Sequence, residues 1–357
     1  MRRRRLTYFL SLCLAGALTG CGSSSETGDS QTSAADNGTS LQLTIGSNPA
    51  GSHVYAVAAG LAKVLQDSDV ARATIRPFSG SSVYLPQLQR GELALGMNTS
   101  IDSFLSYRGL PPWDTPMSNL RALGMMFPLP IMYMVRADSD MLAVEDLRDK
   151  RVVVTFRANA SLAQLHEGIL LTGGLTLEDV TPLTVAGLPA AKDMLIENRA
   201  DAVPIGLNTA LSLEANSALP SGIRYLQMGA QESRLAEIMP GARVVTIEPD
   251  ENSVGMDGPV RSSGVLDYLN TGTHLGEDEA YQIVRTIHQS WEELRRDYPQ
   301  IRPVAANEVI PDILTHPFHA GAIRYWQEAG LWTADHARQQ TELLGLYDQT
   351  GGPASLD

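Results

Sequence analysis

Five short polar clusters each follow a strand-like run: Ser47 and Asn48 with Ser52, His53 and Tyr55; Ser79-Gly80-Ser81-Ser82; Asn98-Thr99-Ser100; Arg157, Asn159 and Ser161; and Gly206 to Thr209 with Asn208. Hydroxyls and amides at a strand-to-helix turn stand beside free helix N–H groups and the positive end of the dipole, a combination suited to a small polar or anionic molecule. Ligands of open α/β sheets bind outside the carboxyl ends of the strands, so these loops can share one site. Arg157 is the sole cation among them, and its planar fork matches a carboxylate. Two roles stay open for it, a carboxylate clamp or an ordinary ion pair at the surface or between lobes. Ser52 has the same ambiguity, since it either meets a ligand or only caps the helix that follows. Arg76, just before Pro77, is a weaker candidate cation.

The same loops offer little for covalent chemistry. Asp102 is the only acid near them, Gly51-Ser52 is no nucleophile elbow, and the 7 histidines contain no HExxH pair. His316 and His319, which flank Pro317-Phe318, read as capping and packing residues, and the 2 cysteines have no zinc-type spacing. No metal and no cofactor are expected. A formal charge of −13, with no basic run beyond the first five residues, speaks against a nucleic-acid partner.

Positioning those loops requires alternating strands and helices. LQLTIG from Leu41 is a strand, His53–Gln66 a helix, 73–78 a strand, Val83–Arg90 a helix, and Glu92–Met97 a third strand. Strand-like runs at 120–127 and 131–135 are separated by Pro128-Leu129-Pro130, which is expected to interrupt pairing and carry the chain between lobes. A second unit follows: helix 144–149, buried strand 151–156, helix 162–171, strand 183–185, helix 190–198 and strand 202–205. The Gly-, Pro- and acid-rich stretch 244–262 suits a return crossing, and helices are expected at 277–298, 307–313 and 319–329. Alternation of this kind predicts α/β lobes, each a mostly parallel sheet flanked by helices. A length of 357 residues suits two lobes, drawn as 41–127 with 250–345 and as 128–249, with closure about segments 127–131 and 248–262.

Ahead of these lobes, Arg2–Arg5 and the apolar Leu6–Leu18 form an export signal ending in Leu18-Thr19-Gly20-Cys21, which resembles a bacterial lipobox. Residues 1–20 are then a lipoprotein signal peptide, Cys21 is the lipidated first residue, and 21–40 is a polar tether too poor in apolar side chains to fold. Cleavage removes four arginines and no acid, which deepens the charge to −17. Residues 346–357 are expected to be a disordered tail.

IGSNPAGSHVY, LPQLQRGELALGMNTS, LRALGMMFPLPIMYMVRADS, VEDLRDKRVVVTF and HPFHAGAIRYWQEAGLW, in that order over residues 42–335, resemble the solute-binding proteins of the TAXI class of TRAP transporters. The resemblance implies a two-lobe type II periplasmic-binding-protein fold closing on a small solute such as glutamate, glutamine or 2-oxoglutarate. It also implies delivery to an ion-gradient-driven permease, commonly with fused membrane subunits, by a periplasmic monomer held to the membrane through its lipid alone. One departure stands out. The family's first loop is glycine-rich, whereas Ser47-Asn48-Pro49-Ala50-Gly51-Ser52-His53 places a proline there and so removes an N–H. Asn48, Ser52 and His53 side chains are expected to replace that contact. Two rival functions remain: a ligand-sensing lipoprotein that signals to a membrane receptor, and an enzyme on the same two lobes.

Overall fold

The computed structural model describes residues 41–235 and 242–348. The signal peptide, Cys21 and the tether lie outside the described residues, as do 349–357. Strand β1 (Leu41–Ser47) leads through helix α1 (His53–Asp67) to β2 (Ala71–Pro77), and α2 (Ser81–Gln89) leads to β3 (Leu95–Thr99) and α3 (Ser100–Arg108). The long β4 (Leu120–Arg136) opens the second half, which contains β5 (Arg151–Phe156), α4 (Leu162–Thr172), β6 (Thr181–Val185), α5 (Leu188–Ile196), β7 (Ala202–Gly206), α6 (Ala210–Ala218) and β8 (Ile223–Tyr225). The chain returns through β9 (Arg243–Ile247) and β10 (Val260–Gly272) and ends in α7 (Glu277–Gln289), α8 (Trp291–Asp297), α9 (Ala320–Glu328) and α10 (Ala334–Asp348).

The strand order β2-β1-β3-β10-β4-β7-β5-β6 contains one pattern twice. In each half three strands run parallel, β2-β1-β3 and β6-β5-β7, and the next strand pairs with them antiparallel. That strand is β10 in the first half and β4 in the second, so each half is closed by a segment that also belongs to the other. β10 and β4 pair with each other from Ser263↔Ile131 to Gly272↔Leu120, with register shifts beside Tyr268 and Asn270. The expected α/β class, with mostly parallel strands flanked by helices, is therefore present. The described residues nevertheless pack as one unit, and a single apolar cluster runs from Leu43 and Val57 through Tyr133 to Leu165 and Leu195.

Several expectations need correction. Pro128 and Pro130 do not interrupt pairing, because β4 is continuous for 17 residues. Pro130 accepts a hydrogen bond from the Leu207 amide at 3.3 Å, which shows that its backbone faces away from β10. Pairing of β4 with β7 begins only at Ile131, so the two missing N–H groups fall on an unpaired edge. The stretch 244–262 overlaps β9 and runs into β10, a strand of 13 residues that the sequence pattern did not announce. Helix 277–298 is two helices broken at Ser290, 307–313 keeps only a 3₁₀ turn at Ala306–Glu308, and 144–149 is a 3₁₀ turn at Val144–Leu147. The C-terminal helix runs to Asp348, so a disordered tail does not begin at 346.

Candidate functional site

Beyond β1 the chain turns at Gly51, whose φ of 88° lies in the left-handed region that favours glycine. Ser52 then caps α1, its Oγ accepting from the Tyr55 amide at 3.2 Å. That cap aims His53, the first helical residue, at the other half of the sheet. Its Nε2 donates to the Leu207 carbonyl at 2.6 Å and its ring lies near Phe127. Burial holds the ring below the usual histidine range, so it is neutral and Nδ1 is a bare acceptor without a partner.

At the end of β3, Thr99 caps α3 in a reciprocal box. Its hydroxyl donates to Asp102 at 2.9 Å, and its oxygen accepts from the Asp102 amide at 3.2 Å. Burial pushes the Asp102 carboxyl above its usual range, against the opposing pull of hydrogen bonds from Thr99, Ser161 and Ser81. Asn98 is fixed from behind. Its amide donates to Ser103 at 2.7 Å and its oxygen accepts from Asn270 at 2.9 Å, while Asn270 accepts from His316 at 2.7 Å.

The second half supplies Asn159 from the 3₁₀ turn Arg157–Asn159. Its amide donates to Asn48 at 3.3 Å and to Ser81 at 3.2 Å, and its own oxygen has no partner. Ser82 accepts from the Ala160 amide at 3.0 Å, so the loops after β2 and β5 lock together. His166 on α4 donates from Nδ1 to the Val154 carbonyl at 2.6 Å and leaves Nε2 unpartnered; burial lowers its pKa to about 4. Between these groups lies a narrow cavity, its apolar parts formed by Leu129 and Ile131 of β4 and by Leu162, Leu188, Ile205 and Leu211. A mostly apolar pocket with a few convergent polar groups is what a small ligand requires.

The sequence pattern of the NMT1-like family matches residues 45–330. The chain belongs to that family. Among curated proteins none matches. Of the solved structures that it is similar to, the alkanesulfonate-binding protein SsuA of Xanthomonas axonopodis pv. citri, bound to MOPS, has 20% identity and a TM-score of 0.47, covering 84% of this chain and 94% of that one. SsuA of Escherichia coli, a periplasmic aliphatic sulphonate binding protein, has 16% identity and a TM-score of 0.42 over 88% and 94%. The substrate-binding protein of an amino acid ABC transporter has 12% identity and a TM-score of 0.42 over 72% and 98%.

In this NMT1-like chain the cavity brings together Asn48, Ser52, His53, Asn98, Thr99, Asn159 and Gly206 of the residues expected from sequence. Others support the wall from behind. Ser47 bonds the Asn48 carbonyl at 2.9 Å, Ser81 accepts from Asn159, and Ser161 accepts from the Trp113 indole at 3.1 Å. Asn208 donates to Ser253 at 3.0 Å and braces the loop before β10. Tyr55, Ser79 and Ser100 do not line the cavity. Of the two roles left open for Arg157, the carboxylate clamp gains no support from its position: Arg157 is exposed and does not line the cavity, because the turn after β5 buries Ala158 and Asn159 and turns the arginine outward. Among the described residues, no Lys or Arg lines the cavity. Sequence reasoning missed His166 and the role of Asp102. The only trace of His166 is a polar ring four residues after Leu162 on an otherwise apolar helix face.

Proposed function

We propose that this chain is an extracytoplasmic solute-binding lipoprotein that encloses a small polar solute between the two halves of its sheet. The observation that carries this reading is a narrow cavity to which both halves contribute buried polar side chains, several with a hydrogen-bonding atom left free. The halves are joined by β4 and β10, and their relative rotation about 127–131 and 248–262 admits and releases the solute. The five motifs that resemble TAXI-class proteins support an ion-gradient-driven TRAP permease as the recipient. A carboxylate on the solute, as on an amino acid, is held by backbone N–H groups at the starts of α1 and α6 rather than by an arginine. Lipidation at Cys21 keeps the loaded protein at the membrane.

Mass spectrometry tests both parts of this reading. Protein purified without denaturation should release a stoichiometric small polar molecule on unfolding, and its mature N-terminus should be a diacylated Cys21. A chain that neither retains nor binds any small molecule overturns the solute-binding reading. A mature N-terminus elsewhere, without lipid, removes the anchor and leaves the cavity to be explained as that of a freely diffusing binding protein.

A further inference from the structure

The cavity wall carries several buried side-chain acceptors. His53 Nδ1, His166 Nε2 and Asn159 Oδ1 belong to residues lining the cavity, and each lacks a hydrogen-bond partner, while the Asp102 carboxylate lines the same wall. Asn159 and His166 are no more than 2% exposed, so bulk water does not satisfy their free acceptors. Each of these atoms accepts. The two histidines commit their single N–H to the carbonyls of Leu207 and Val154, and the Asn159 amide donates to Asn48 and Ser81. A buried acceptor without a donor is costly, so a wall with three of them beside a carboxylate, drawn from both halves, is complementary to a ligand rich in N–H groups. Asp102 is the only acidic or basic side chain in that wall besides the neutral histidines.

We propose that the solute carries a protonated amine, seated against Asp102 and sharing its N–H groups with the free acceptors of Asn159 and the two histidines. This rests on the solute-binding reading and narrows it. Amino-acid-like solutes such as glutamate or glutamine fit, and 2-oxoglutarate, which has no amine, does not. The cation also answers the burial of Asp102, because an ammonium compensates the ionised carboxylate that a dry cavity disfavours.

Calorimetry and thermal shift on the mature protein, freed of solute by unfolding and refolding, test the proposal with matched probes. These are the neutral and acidic amino acids, each against its N-acetyl counterpart, putrescine against N,N′-diacetylputrescine, and L-glutamate against 2-oxoglutarate. At least one free amine should bind, and its N-acetyl or 2-oxo counterpart should bind at least about 100-fold more weakly. Asp102→Asn should weaken that amine at least about tenfold. Because Asp102 also caps α3, His166→Leu provides a second variant that removes an acceptor and leaves the cap intact; it should weaken the same probe. A counterpart lacking the amine that binds as tightly, or an amine that binds Asp102→Asn and wild type alike, overturns the inference. A tightly held solute with no basic nitrogen also overturns it while leaving the solute-binding reading in place. Failure of every probe, together with the absence of any small molecule from the purified protein, overturns both.

Discussion

Gly80→Val should leave a folded protein that no longer closes on its solute. Gly80 precedes α2 with an extended φ of 168°, a conformation any residue adopts, so the substitution adds no backbone strain. The obstacle is what faces it. A β-carbon at Gly80 would lie 2.6 Å from the Ala158 carbonyl carbon and closer still to the Ala158 oxygen and Asn159 Oδ1. Backbone cannot move aside as a flexible side-chain tip can, and the same contact surface holds the Asn159–Ser81 and Ala160–Ser82 bonds. Overpacking of this kind costs about 3 kcal/mol or more, which is roughly 100-fold or more in dissociation constant when only the closed state is penalised. Calorimetry should show that loss while the melting temperature of the solute-free protein changes little. Equal losses in affinity and in solute-free stability would mean that the two halves meet in every state and do not open.

Asp267→Asn should stabilise the protein, and more so as pH rises. Asp267 lies on β10 opposite Thr99 of β3 and Phe127 of β4, fully buried, with neither carboxyl oxygen hydrogen-bonded. Burial, and then repulsion from Asp102, push its pKa well above the usual carboxyl range. Tyr84, whose hydroxyl donates to the Met97 carbonyl, feels the same two acids. The folded state therefore holds a proton that the unfolded chain releases near pH 4. Between that pH and the raised folded value, stability falls by about 1.4 kcal/mol for each pH unit, and below the unfolded value the penalty vanishes. An amide has the same shape and no proton to lose. Calorimetric melting of both proteins from pH 4.5 to 8 should show the variant's advantage growing with pH, and a constant or shrinking gap would contradict the assignment.

The parts legible in the sequence were those where local pattern and tertiary role coincide. Alternating apolar runs placed β1, α1, β5 and α4, and the polar clusters after the strands marked five loops, four of which contribute side chains to the wall. The prolines of β4 misled because their cost depends on which edge of the strand is paired, and that is decided by β7 and β10, remote in sequence. β10 was missed because VRSSGVLDYLNTG, buried on both faces, shows no alternation. Arg157 and His166 failed in opposite directions. A single 3₁₀ turn sends the arginine to solvent, and tertiary packing turns a histidine on an apolar helix face into part of a polar wall.

Spin-label distances across the cavity test the central claim most directly. With labels at Val83→Cys on α2 and Asp193→Cys on α5, both exposed, and the Cys21 thiol already blocked by the proposed lipid, the mature protein is measured as purified and again after unfolding and refolding free of solute. The account predicts one short, narrow distance in the loaded protein, a longer and broader one in the stripped protein, and return of the short distance when the extracted solute is restored. Identical distributions in the two states, or a solute located in the open groove along Arg243 and Asp312 instead, would contradict it.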